Sequence, residues 1–183
     1  MSTLAEPYLP REDSFLIRRI VEQIKAECAL EIGCGVGFVL EELAQRCGWV
    51  VGVDLDLNSL RQAKIRLEDE GFVNFDLVCS SSAKAFRAKL FDLVVFNPPY
   101  LPSERVEDRA VDGGRGGVEV TLDWLRECAG VVKSGGKVVI ISSSLASQEA
   151  LTKEAKTLGF RIRLLATHHL FFEDLYAYEL SLS

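Results

Sequence analysis

Short runs of consecutive apolar residues alternate along this chain with longer stretches in which apolar residues recur every third or fourth position. An unbroken run reads as a strand buried on both faces, and the wider spacing as the buried stripe of a helix. On that reading strands cover 29–33, 50–54, 75–79, 91–97 and 137–143, with helices near 37–47, 58–70, 118–132 and 147–158. An amphipathic helix from about Ser14 to Glu27 precedes them, its apolar side made by Phe15, Ile17, Ile20, Val21 and Ile24. Such regular alternation predicts an α/β protein, a mostly parallel sheet with helices on both faces. Past Gly159, which suits a left-handed helix cap, the pattern changes. Arg161 to Leu170 and Leu175 to Leu182 alternate apolar and polar residues around Glu173-Asp174, which predicts an antiparallel hairpin closing a seven-stranded sheet. With 183 residues and 48% apolar content the chain fits a single domain over 1–183, at about 100–200 residues per domain.

The run Phe91 to Phe96 stops in Asn97-Pro98-Pro99-Tyr100. Two prolines remove two backbone donors, and Pro98 pushes Asn97 out of the helical region, so the turn offers an amide side chain, acceptors and an aromatic ring together. That is a cradle for a planar amide or amino group; the plainer alternative is a strand-ending proline turn capped by Asn97. A second motif, Glu31-Ile32-Gly33-Cys34-Gly35-Val36-Gly37, follows the first strand and opens a helix. It is not the dinucleotide fingerprint, whose third glycine would fall at Phe38. Glu31 would repel a pyrophosphate and attract a ligand carrying an ammonium and a sulfonium, as S-adenosylmethionine does. Asp54 ends the next strand, where a carboxylate can accept both hydroxyls of a ribose. It reads equally as a helix cap, in company with Asp56, Asn58 and Ser59.

By the switch-point rule all three motifs lie on one edge of the sheet. The irregular stretch Leu101 to Gly117, with Asp112-Gly113-Gly114-Arg115-Gly116-Gly117, follows directly. It reads either as a substrate-engaging lid presenting Arg115 or as a plain surface loop. No Gly-Lys-Ser/Thr follows the glycines, so no phosphate-binding loop is present.

A net charge of −6 and the absence of like-charge blocks argue against general polyanion binding. Lys84, Arg87 and Lys89 form either a local basic patch or a solvated helix face. Five cysteines, Cys28, Cys34, Cys47, Cys79 and Cys128, form no C-x-x-C pair and read as buried thiols of a reducing compartment, so no metal site is expected. Residues 1–10 lack a basic flank and a long apolar core, and no apolar run approaches the roughly 18 residues of a membrane helix. A cytoplasmic protein without a membrane segment is expected.

With these residues in hand, the chain resembles the HemK-type protein-glutamine N5-methyltransferases, in the short archaeal and eukaryotic branch that modifies translation termination factors. The resemblance covers nearly the whole chain: Pro10 to Ser14, the Glu31–Gly37 turn, Asp54, Asn97 to Tyr100, and Asp112-Gly113-Gly114 with Gly117. It implies a Rossmann-like class I methyltransferase fold without the N-terminal recognition domain of the longer bacterial relatives. It also implies S-adenosylmethionine as cofactor, held by Asp13, Ser14, Glu31, Gly33, Cys34, Gly35, Gly37, Asp54, Leu55 and Asn97. Many relatives place an Asp after the third strand to meet the adenine; here Val78-Cys79-Ser80-Ser81 stands there, so Ser80 makes that contact or it is lost. Asn97, Pro98 and Tyr100 would be catalytic, and Pro99 and Arg115 would join them in binding substrate. A release factor is the implied protein substrate, and a small zinc-binding activator of the Trm type, pairing along the sheet near the third strand, the implied partner.

Asn97 Oδ1 and the Pro98 carbonyl would accept the two N–H groups of a glutamine amide, with Tyr100 on its plane, and no general base is required before transfer. His168 and His169 read as structural residues of the sixth strand. An adenine N6 amino group in RNA or DNA suits the same turn and is the nearest alternative substrate. A protein lysine must first lose a proton, and a non-catalytic scaffold has no use for two intact motifs.

Overall fold

The computed structural model describes residues 10–86, 89–100, 113–114 and 117–182. Its elements run α1 (Glu12–Val21), β1 (Ala26–Ile32), α2 (Phe38–Arg46), β2 (Cys47–Asp54), α3 (Leu57–Asp69), β3 (Phe75–Cys79), a 3-10 turn (Ala83–Ala85), β4 (Phe91–Phe96), α4 (Glu119–Val131), β5 (Val132–Ser143), α5 (Gln148–Thr157), β6 (Phe160–His169) and β7 (Asp174–Leu182). The strands form one sheet in the order β3-β2-β1-β4-β5-β7-β6. β3, β2, β1, β4 and β5 are parallel, and β7 pairs antiparallel with both β5 and β6.

Alternate residues of the central strands go to opposite faces, as the pleat requires. Ala29, Val50, Leu93, Val95, Val139 and Ile141 meet Ile17, Val21, Leu40, Leu43 and Leu67 from α1, α2 and α3. Leu30, Ile32, Val53, Val94, Phe96, Val138 and Ile140 meet Leu125, Cys128 and Leu151 from α4 and α5. Both faces are therefore dry, which is why these strands are apolar without a break. No helix among the described residues is long and apolar enough to cross a membrane.

Three sequence expectations are corrected here. α1 covers Glu12–Val21 and not Ser14 to Glu27: its last turn tightens through Gln23 N–H to Ile20 and Ile24 N–H to Val21, and β1 claims the chain from Ala26, paired with Cys47. Its buried side carries Leu16 rather than Phe15, which is half exposed and rests edge-on against Phe38. β5 begins at Val132, five residues early, because the register shift between Phe91 and Leu93 absorbs Lys133 to Gly136 as a bulge. Cys34, Cys47 and Cys128 are buried as expected, Cys28 is half-buried, and Cys79 is exposed.

Candidate active site

β2, β1 and β4 lie side by side and end together, with Ile32 level with both Val53 and Phe96. The chain leaves β1 towards β2 on one side while β4 flanks the other, which makes this the switch point of the sheet. Glu31–Gly37, Asp54 and Asn97 are thereby brought to one edge, as their spacing predicted.

The glycine turn is fastened to β2. Gly33 N–H and Cys34 N–H both donate to the Val53 carbonyl at 2.8 and 3.0 Å, and Gly37 N–H closes on the Cys34 carbonyl at 2.9 Å. Gly33, Gly35 and Gly37 all have positive φ, at 72°, 52° and 81°. Gly35 differs from its neighbours in what surrounds it. A Cβ at Gly33 would lie 3.2 Å from Trp124 and one at Gly37 3.0 Å from Ala63, whereas one at Gly35 would meet nothing within 4 Å. The turn is thus packed below and open at its crest.

Asp54 ties turn to strand: Oδ2 accepts the Gly35 N–H at 2.8 Å and Oδ1 the Asp56 N–H at 2.9 Å. Capping of α3 falls to Asp56, whose carboxylate accepts from Asn58 and Ser59, so the cap alternative for Asp54 is not taken. Leu55 beside it is about half exposed. Glu31 is 6% exposed, and its Oε2 has no hydrogen-bond partner. Burial, then the nearby Asp54 carboxylate, pushes the Glu31 carboxyl well above the usual range. Cys34 is turned away from the open side, towards the core around Gly52, and its thiol is raised by burial, then by Glu31 and Asp54.

At the end of β4, Pro98 and Pro99 are buried and Asn97 and Tyr100 are half-buried. Asn97 Oδ1 is buried without a partner. An acceptor left this way costs about 1–3 kcal/mol, which an arriving donor recovers. Tyr100 O–H donates to Asp13 Oδ2 at 3.2 Å, and Asp13 Oδ1 accepts the Ser14 N–H at 2.6 Å and Oγ–H at 3.2 Å. Asp13, expected with Ser14 near a cofactor, thus stands at Tyr100 as a brace, and Ser14 holds the Asp13 carboxylate. Gly113 backs the turn from below: a Cβ there would stand 2.8 Å from the Pro99 carbonyl oxygen, and its own carbonyl accepts the Glu119 N–H that starts α4.

Arg115 and most of the 101–117 stretch lie outside the described residues, as does Arg87 of the basic patch; Lys84 of that patch pairs with Glu127 at 3.4 Å. Ser80 Oγ–H donates to the Ser82 carbonyl, which spends its proton and leaves its oxygen as an acceptor. Ser82 was missed from the sequence: its Oγ is buried and unpartnered at the same edge, and nothing in a run of three serines singles it out. His168 and His169 close β6, facing Glu12 and Asp174.

A seven-stranded sheet of this order, with a glycine turn, an acid after β2 and an Asn-Pro-Pro-Tyr turn after β4, defines a class I methyltransferase. Residues 29–110 match the methyltransferase domain family. The chain is 32% identical to a relative from Methanocaldococcus jannaschii, provisionally named a protein N5-glutamine methyltransferase, over 93% of this chain and 89% of that one. It is 30% identical to the tRNA1(Val) (adenine(37)-N6)-methyltransferase of Aeromonas hydrophila over 76% of this chain and 61% of that enzyme. In fold it is similar to Mtq2 from the E. cuniculi Mtq2–Trm112 complex responsible for methylating the eRF1 termination factor, with a TM-score of 0.79, 23% identity, and 96% and 98% of the two chains covered. The chain belongs to the HemK-type protein N5-glutamine methyltransferase family.

Proposed function

We propose that this chain methylates the side-chain amide nitrogen of a glutamine, in a Gly-Gly-Gln segment of a translation termination factor, using S-adenosylmethionine. The observation that carries the reading is Asn97 Oδ1, a buried acceptor with no partner, held on a double-proline turn beside a braced tyrosine. The relative from M. jannaschii supports the glutamine, and what the Mtq2–Trm112 complex does to eRF1 supports the termination factor.

S-adenosylmethionine, when bound, supplies an electrophilic methyl group. The residues present fit such a ligand. Glu31 Oε2 is a buried carboxylate oxygen in need of a donor, which an ammonium provides. The crest of the turn at Gly35 admits close approach, while Gly33, Cys34 and Gly37, their N–H groups already spent on the Val53 and Cys34 carbonyls, hold the turn in shape. Each Asp54 oxygen already accepts one backbone N–H and retains a lone pair for a ribose hydroxyl. Leu55 offers an apolar surface to the adenine, the Ser80 oxygen remains an acceptor for it, and Ser82 has an unpartnered hydroxyl nearby.

An amide nitrogen is a weak nucleophile because its lone pair is delocalised. Asn97 Oδ1 and the Pro98 carbonyl orient it by accepting its two N–H groups, and both dipoles stabilise positive charge developing on nitrogen. Tyr100, fixed by Asp13, covers the amide plane. The proton leaves after the nitrogen is alkylated, so no histidine is required.

β3 is an edge strand, with Val73 just before it 85% exposed. An activator of the Trm type would pair along that edge and cover Val73.

The second reading, adenine N6 in nucleic acid, is favoured by the likeness to the tRNA enzyme and is weakened by the net charge of −6. One experiment separates them. The chain, with and without a zinc-binding activator, is given labelled S-adenosylmethionine and either a factor bearing Gly-Gly-Gln or adenine-containing RNA and DNA. Label on the factor that vanishes when the glutamine is replaced is the expected result; label on nucleic acid alone overturns it.

A further inference from the structure

Phe171 and Phe172 join β6 to β7, and they are 92% and 87% exposed, ring against ring at 4.6 Å. Leu170 N–H donates to the Glu173 carbonyl at 2.9 Å, closing the turn beneath them. Turns this tight favour Asn or Gly, which accept positive φ, yet no described non-glycine residue has positive φ. The two phenylalanines thus serve neither the turn nor the core, and an exposed apolar pair of this kind marks a contact surface.

Topology fixes where the pair stands. β5 ends at the edge that carries Asn97, Ser143 of β5 pairs with Leu175 of β7, and Leu175 pairs with His168 of β6. The Phe171–Phe172 turn therefore rises from the same edge. Three strand spacings and several residues of rise put its tip on the order of 20 Å from Asn97. Two consecutive residues of α1 bridge the gap: Glu12 Oε2 lies 3.5 Å from His168 Nε2, and Asp13 Oδ2 accepts the Tyr100 hydroxyl. Site and turn form one continuous rim. A partner footprint of about 800 Å², some 30 Å across, spans both; a small acceptor reaches only the cleft.

Charge decides between macromolecules. Exposed rings stack on nucleic-acid bases as readily as on apolar side chains. Around this turn, however, stand Glu12, Glu173 and Asp174, with His168 and His169 between them, Arg11 beside Glu12, and no Lys or Arg from 168 to 175. A phosphate backbone is repelled there, and a polypeptide carrying Lys or Arg beside an apolar patch is attracted. We infer that the Phe171–Phe172 turn is a docking knob for the polypeptide that carries the acceptor amide, an inference that rests on the glutamine reading.

The test is the double variant Phe171→Ser/Phe172→Ser, whose side chains leave no cavity; its thermal unfolding checks the fold. Full-length termination factor and a short Gly-Gly-Gln peptide are compared as substrates, with and without activator, and cofactor affinity is measured separately. The expected result is a KM for the factor raised at least about tenfold, with kcat, turnover of the peptide and cofactor affinity within about twofold of wild type. An unchanged KM for the factor overturns the inference while leaving the glutamine reading intact. A loss of dimer without a change in KM overturns it too, giving the turn to a second copy of the chain. Wild-type protein that methylates RNA but no polypeptide overturns the glutamine reading itself, and the polypeptide occupant with it.

Discussion

Asn97 and Glu31 are both held at an energetic loss in the free protein, and each loss makes a separate prediction. On the glutamine mechanism proposed above, Asn97→Ala removes an acceptor for the developing charge, so turnover should fall about 10²–10³-fold while cofactor affinity, read by calorimetry, stays near wild type. Glu31 behaves differently because its carboxyl is raised by burial, then by Asp54. The folded chain keeps a proton that the unfolded chain releases above the ordinary value of 4.5, so Glu31 takes stability away as pH rises from there towards its folded value. Glu31→Gln should flatten that fall in melting temperature as pH rises above 4.5. It should also weaken cofactor binding about ten- to hundredfold, the usual loss for a charge-assisted hydrogen bond. Both residues stood out in the sequence, as an acid before a glycine turn and an Asn before two prolines, and the structure leaves an oxygen of each buried without a partner. Ser82 did not, because what distinguishes it from Ser80 and Ser81 is burial.

Elements were legible where one periodicity ran unopposed. β3 falls at 75–79 as expected and α3 within one residue, because Asp56 supplies a cap that the sequence displays. α1 was overrun, since Ile24 continues the helical spacing while backbone pairing from Ala26 decides the boundary. What spacing hides altogether is close packing between elements. Gly52 looks like an interruption of β2, yet a Cβ there would stand 2.5 Å from Leu40 of α2 and 2.9 Å from Leu77 of β3. Gly52→Ala should therefore cost about 1–3 kcal/mol, seen as a lowered denaturation midpoint with the slope unchanged.

At the scale of the whole molecule, α1, α2 and α3 are clasped by Glu41, which takes Arg18 at 3.0 Å and Arg66 at 2.9 Å. Burial alone would raise the Glu41 carboxyl, but hydrogen bonds from Arg66 and Arg18, and then their charges, outweigh it and hold it below 4.5. Its contribution is complete above that value and lost as pH falls through the folded one. Glu41→Gln should lower stability by about 1 kcal/mol at pH 7, a melting shift of about 2–4 °C, and by progressively less as pH falls below 4.5. The three site motifs hang from the middle of this frame; that the sheet is mostly parallel and closed by a hairpin was readable from the change of pattern past Gly159, whereas the strand order came from the structure. The Gly113 contact with Pro99 was not readable at all, yet it carries a consequence for the turn after β4. A Cβ at position 113 would press on backbone at Pro99 and at Gly117, with no flexible side chain to give way. A methyl group added at Gly113 would therefore be felt at Asn97-Pro98-Pro99-Tyr100, although position 113 lies outside that motif.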